Sequence, residues 1–236
     1  MRMKSLISTG LAASFVLFGA SRADAAFQLA LEQVGGPGFT VFATAGGDFT
    51  AVAGSGSFGD FTITNFSASS LNSATSDLLS ASLRVTNNST TEETLRLYVT
   101  QTNYTLPPGS PLSVESGQGG SINVGTTLDL NNIFQAYADA GNTAFGLADF
   151  TNGPQDGIPT SATTYATNSA VGLFNRTGMY SLTSVATLTL SAGGITGYQN
   201  HITVTAVPEP ASMLLLGTGL FGLAAAARRR VKGAIQ

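Results

Sequence analysis

One histidine, His201, is the only imidazole in the chain that could act as a general base. It lies between Asn200 and Ile202 at the edge of an apolar run. A serine paired with it in an α/β-hydrolase would occupy a G-x-S-x-G elbow, and the sequence has no such elbow. We therefore expect His201 to be a surface or hydrogen-bonded strand-end residue, and we predict no catalytic residue and no enzyme.

Carboxylate pairs could hydrolyse glycosidic bonds without any histidine. The candidate residues are Asp129, Asp139, Asp149 and Asp156, whose spacing does not define the separation that this chemistry requires. Isolated acids of this kind commonly occupy turns, where their oxygens accept hydrogen bonds from nearby backbone amides. A carboxylate-based glycosidase is therefore the less favoured alternative.

The segment from Asp149 to Gly157 gathers oxygen donors on a glycine-containing loop. Asp149, Asn152 and Asp156 form a weak calcium candidate, because Ca²⁺ takes six to eight oxygen ligands. Their spacing departs from an EF-hand, and an ordinary Asx turn explains the same residues. We predict no metal and no cofactor, since a chain with no cysteine and one histidine lacks the ligands of thiolate or multi-histidine sites.

The tyrosines could stack on sugar rings, because each presents an apolar face and a polar hydroxyl. A row of exposed tyrosines on one sheet would favour a secreted carbohydrate-binding module, which is the main alternative function. The chain has no tryptophan, which weakens such a platform. The six candidates are Tyr98, Tyr104, Tyr137, Tyr165, Tyr180 and Tyr198.

The composition is typical of an exported, β-rich protein. Among 236 residues there are 24 serines, 30 threonines and 28 glycines. The body, residues 26–206, has three cations (Arg84, Arg96 and Arg176) against eleven acids, which gives a net charge of −8. Phosphate backbones would repel this surface, so we expect no nucleic-acid partner.

Apolar residues alternate with polar residues, most of them threonine, in several short runs of the body. Leu95, Leu97 and Val99 form one such run, and Ile202 and Val204 form another. A period of two with turn residues between the runs predicts an all-β fold, an antiparallel β-sandwich of eight to ten strands. A closed barrel is the second choice, and residues 130–137 fit a short helix as well as a strand.

The N-terminal 25 residues read as a secretory signal peptide. Arg2 and Lys4 precede an apolar stretch, and Ala23 and Ala25 occupy the small-residue positions of a signal peptidase site. We therefore expect residues 1–25 to be removed, with signal peptidase and the secretion translocon as partners.

The C-terminus contains three features in a fixed order. Val207, Pro208, Glu209 and Pro210 come first, and an uncharged stretch over residues 211–227 follows. Seventeen residues span about 25 Å as a helix, the short end of a transmembrane segment. Arg228, Arg229 and Arg230 come last and would stay on the cytoplasmic side as a basic anchor.

This order resembles the PEP-CTERM sorting signal of Gram-negative bacteria. The resemblance implies processing by an exosortase, a membrane protease that recognises Pro208, Glu209 and Pro210. It also implies a precursor held in the inner membrane and a mature form at the cell surface or in an exopolysaccharide matrix. We thus predict three parts: the signal peptide (1–25), a β-sandwich (26–206) and the sorting signal (207–236). The predicted function is a non-catalytic surface or biofilm-matrix protein, with extracellular polysaccharide as a further expected partner.

Overall fold

A computed structural model describes residues 26–46, 49–208, 215 and 217–220. Fifteen strands lie within these residues, and most are joined by short turns. In chain order they are β1 (Ala26–Gln33), β2 (Thr40–Gly46), β3 (Phe49–Phe58), β4 (Phe61–Leu71), β5 (Thr75–Asn87), β6 (Glu93–Tyr104), β7 (Leu112–Ile122), β8 (Leu128–Asp129), β9 (Phe134–Asp139), β10 (Phe150–Gln155), β11 (Gly157–Ser161), β12 (Thr164–Thr167), β13 (Ala170–Phe174), β14 (Tyr180–Leu190) and β15 (Ile195–Ala206).

The strands form two antiparallel sheets that pack face to face. The first sheet has the order β10-β9-β14-β6-β1-β2, with β8 pairing β14. The second has the order β11-β12-β7-β15-β5-β4-β3, with β13 pairing β7. One hydrophobic core fills the space between them, to which both sheets contribute. The predicted all-β sandwich is confirmed.

The period-two runs place their apolar residues in this core. Leu95, Leu97 and Val99 of β6 point inward, as do Ile202 and Val204 of β15, and all five are at most 1% exposed. The residues between them, Arg96, Tyr98 and Thr203, lie on the outer faces and are half-buried. Alternation along a strand turns successive side chains to opposite faces, so the pattern reports directly which face is covered.

The strand count exceeds the expected eight to ten because β8 and β10–β13 are short and lack a regular apolar pattern. Residues 134–139, which also fitted a helix, form strand β9. Phe134 and Ala136 point into the core, while Gln135 and Tyr137 lie on the outer face. The helical spacing arose because a turn before β9 and the strand itself both supply core residues.

The loop between β9 and β10 (residues 140–149) covers one end of the first sheet's outer face. Ser181 of β14 donates a hydrogen bond from its hydroxyl to the carbonyl of Thr143 at 2.7 Å. The amide of Phe145 donates to Oγ1 of Thr100 at 3.2 Å. Under this loop β14 is buried on both faces from Tyr180 to Ala186. The rest of that outer face stays open.

Candidate functional site

His201 lies half-buried on the outer face of the second sheet, beside glycine. Its partner on β7 is Gly117, where a Cβ would lie 3.2 Å from Cε1 of the imidazole. A cleft of about 530 Å³ surrounds it, with Thr167, Ser169 and Gln199 among its lining residues. Within the described part of the chain no carboxylate lines this cleft, so the imidazole has no acidic residue there to orient it.

Each of the four candidate carboxylates accepts a hydrogen bond from a backbone amide in a nearby turn. The donors are Asn131 to Asp129 (2.9 Å), Asn132 to Asp156 (2.7 Å), Ala140 to Asp149 (2.8 Å), and Gly141 and Thr143 to Asp139 (2.9 and 3.0 Å). These bonds shape the turns around β9 and β10, which is the role that Asx residues commonly play.

Asp139 is the most buried of these acids, at 5% exposure. Burial alone would raise the pKa of its carboxyl, but hydrogen bonds from the Thr143 and Gly141 amides more than offset this effect. The net pKa of Asp139 therefore lies below its usual value. The structure thus brings Asp139 and Asp149 together at the base of the 140–149 loop, where Asp139 is held as a charged acceptor.

The three calcium candidates hold separate hydrogen bonds. Asn152 is buried, and its side-chain amide donates to the carbonyls of Val114 (2.9 Å) and Ala170 (3.0 Å), which ties the edge of one sheet to the other. Asp149 and Asp156 are exposed and bind the backbone of different turns. Among the residues that the structure describes, no group of three or more acidic or histidine side chains is placed to hold a metal ion.

The tyrosines do not form the row expected of a six-residue platform. Four of them are core residues, at most 4% exposed: Tyr104, Tyr165, Tyr180 and Tyr198. Burial raises the pKa of each, that of Tyr165 to about 12. Only Tyr98 and Tyr137 lie on an outer face, both on the first sheet and both half-buried.

Tyr98 is fixed by a charged pair on its own face of the sheet. Its hydroxyl donates to Oε2 of Glu32 at 2.6 Å, and Arg96 forms an ion pair with the same oxygen at 3.4 Å. Partial burial raises the pKa of Tyr98 to about 12, with the hydrogen bond and negative charge of Glu32 adding to the effect. The ring is therefore held in place with its hydroxyl protonated at neutral pH.

The chain leaves the sandwich at the end of β15, immediately before the expected sorting motif. Ala206 pairs with Leu112 of β7, Val207 is half-buried and Pro208 is exposed. Proline has no backbone N–H and cannot continue a ladder of hydrogen bonds. The first proline of the motif is therefore accessible just outside the last strand.

A model of the PEP-CTERM protein-sorting motif matches residues 206–230. The chain carries a PEP-CTERM sorting motif. The match begins at the last residue of β15 and covers none of β1–β14. No curated protein matches the chain.

The PEP-CTERM motif implies an exported, membrane-sorted surface protein that an exosortase processes. Across residues 26–46, 49–208, 215 and 217–220, no helix has both the length and the apolar character needed to cross a membrane. Other predictions lie outside the described residues: the signal peptide with Ala23 and Ala25, the motif residues Glu209 and Pro210, most of the 211–227 stretch, and the anchor Arg228, Arg229 and Arg230.

Sequence patterns alone did not predict the group around Tyr98. Arg96 and Tyr98 alternate with buried leucines, so their shared outer face could have been read from the sequence. Glu32 is distant in sequence and joins them only because β1 pairs with β6. Strand pairing of this kind has no local signal.

Proposed function

We propose that this PEP-CTERM protein is a non-catalytic surface protein whose β-sandwich is delivered by exosortase and retained in extracellular polysaccharide. The observation that carries the proposal is the sorting motif at residues 206–230, which starts at the end of the last strand. Export would begin with removal of residues 1–25. The 211–227 stretch and Arg228, Arg229 and Arg230 would hold the precursor in the inner membrane until processing.

The placement of the candidate catalytic groups supports a non-catalytic body. Each of the four candidate carboxylates accepts a hydrogen bond from a backbone amide. His201 lies beside Gly117 on the second sheet, whereas Asp139 and Asp149 belong to the first sheet and its loop. A glycosidase needs one carboxyl group kept protonated as a general acid. The lowered pKa of Asp139 is the reverse of that requirement.

The test is a variant in which Pro208, Glu209 and Pro210 are all replaced by alanine, expressed in the native cell. We expect an uncleaved chain in the membrane fraction, whereas the unaltered chain is processed and reaches the surface. Val124→Ala, at a loop position that is 92% exposed, is the control for expression and folding. Normal processing of the alanine variant would refute sorting through this motif, and release of sugars from polysaccharide by the purified chain would refute the non-catalytic role.

A further inference from the structure

A cleft of about 440 Å³ lies on the open part of the first sheet's outer face. Its lining combines aromatic, amide and apolar side chains from β6, β14, β9 and the adjoining loops. The residues used below are Arg96, Tyr98, Asn132, Gln135, Tyr137 and Leu147.

The two tyrosines lie on neighbouring rows of the same sheet. Tyr98 pairs with Val185, and Val185 pairs with Gln135, so one row crosses β6, β14 and β9. Tyr137 is two residues beyond Gln135 and on the same face. Adjacent strands are ~4.8 Å apart and two residues advance ~7 Å along a strand, so the Cα atoms of the two tyrosines lie ~12 Å apart, a distance that a short run of linked sugar rings can span.

An aromatic cluster supports the Tyr98 side of the cleft. Phe39 packs edge-on against Tyr98 and Phe145, with centroid distances of 5.1 and 5.0 Å, although Phe39 is 48% exposed. Phe145 has a φ of +58°, a conformation that is costly for a bulky side chain. The backbone N–H of Phe145 donates a hydrogen bond to Oγ1 of Thr100, which holds that conformation. Phe145 is thus a strained aromatic residue whose contact with Phe39 helps to fix the Tyr98 ring.

The polar groups of the cleft favour a neutral ligand. Glu32 neutralises Arg96, and no other charged side chain is among the described lining residues. The side-chain amide of Asn132 has no hydrogen-bond partner within the described chain, and Gln135 uses its amide nitrogen on Thr151 at 3.0 Å. The Asn132 amide and the Gln135 side-chain oxygen, beside tyrosine rings, suit a hydroxyl-rich ligand, whereas the net charge of the body would repel a polyanion.

We infer that this cleft binds a short segment of neutral polysaccharide, with sugar faces stacked on Tyr98 and Tyr137 and sugar hydroxyls bound by Asn132 and Gln135. This inference rests on the proposed extracellular role and assigns that role a binding site. Leu147 and the 140–149 loop form one wall, and the sheet forms the floor. The site is open along the sheet, so it accepts an internal segment of a chain as well as an end.

Affinity electrophoresis tests the site, with soluble β-glucan, dextran or polygalacturonate cast in the gel. The full chain is run in a zwitterionic detergent, because a sugar-based detergent would compete for the cleft. The variants are Tyr137→Ala, Tyr137→Phe, which keeps the ring, and Leu173→Ala, an exposed apolar position on the second sheet.

We expect at least one neutral polysaccharide to retard the unaltered chain, and Tyr137→Ala to weaken the apparent affinity about tenfold. Tyr137→Phe and Leu173→Ala should bind normally. Absence of retardation, equal retardation of all variants, or retardation by polygalacturonate alone would overturn the inference. Each of these results leaves sorting intact, because the motif is tested separately by the mass of the processed chain.

Discussion

Replacing Asn87 with alanine should lower the stability of the sandwich far more than the same change at the neighbouring Asn88. Asn87 ends β5 of the second sheet and is fully buried. Its side-chain nitrogen lies 2.8 Å from the carbonyl of Thr91, 3.0 Å from that of Leu190 and 3.1 Å from that of Ser191. Its side-chain oxygen accepts from the amide of Ser89 at 2.9 Å. One side chain thereby joins β5 to the end of β14 in the other sheet.

The expected loss of free energy of unfolding is about 3 kcal/mol. The two side-chain N–H groups are shared among three carbonyls and the oxygen accepts one bond, so the side chain makes about three hydrogen bonds, worth about 1 kcal/mol net each. Water can reach some of the carbonyls in the variant, because the bonds to Thr91 and Ser191 are only partly buried. For a domain of this size the loss corresponds to a melting temperature lower by about 6–12 °C.

Calorimetry of the full chain in detergent measures the effect, with Asn88→Ala as the matched control. Asn88 is the next residue, and its side chain makes one exposed bond, to Oγ1 of Thr62 at 2.9 Å. We expect the control to change stability by no more than about 0.5 kcal/mol. If the two variants melted at the same temperature, the role of Asn87 in joining the sheets would be refuted.

Three further predictions concern packing, titration and sorting. Gly120→Ala should destabilise the sandwich by about 3 kcal/mol, because the added Cβ would lie 2.5 Å from the Tyr165 hydroxyl and closer still to the carbonyl of Gly197. Thermal unfolding measures the effect. The control is Gly38→Ala, whose added Cβ would meet no atom within 4 Å. The raised pKa of the tyrosines, about 12 for Tyr165, gives stability that is complete below pH ~10 and is lost as the pH rises through the folded-state values. The tyrosinate absorbance of the four core tyrosines should therefore appear together with unfolding, and full ionisation of a chain that stays folded would contradict their buried placement. Replacing the arginines at 228–230 with glutamine should impair inner-membrane retention and processing, and an unchanged mature mass with normal surface delivery would contradict this expectation.

The sequence predicted the sandwich because one-sided burial leaves a local signature. Residues such as Leu97 and Ile202 alternate with polar neighbours, and that alternation alone determines which face each side chain occupies. The short strands β10, β11, β12 and β13 were not predicted, because they lie towards the sheet edges and contribute few apolar residues to the core. Gln101 and Gln118 also point into the core, where a sequence pattern would have placed apolar residues.

The candidate sites also differ in whether they could be predicted from local sequence. The sorting motif is a contiguous segment, so its residues could be recognised without any fold. The cleft at Tyr98 depends on β1, which pairs with β6, on β9, which reaches β6 through β14, and on a loop that covers one end of the outer face. The burial of Tyr104, Tyr165, Tyr180 and Tyr198 likewise depends on which face of each strand meets the opposite sheet. Tertiary placement of this kind has no signature in residue spacing.

The intact mass of the protein recovered from the native cell surface or culture fluid tests the central claim most directly. The account predicts a chain that starts near Ala26 and ends between Pro208 and Pro210, with any added mass reporting a further modification. This single result would show export and exosortase processing of the sandwich together. A surface chain that still includes Arg228 to Gln236 would contradict the account, because the sorting motif would then have been left uncut.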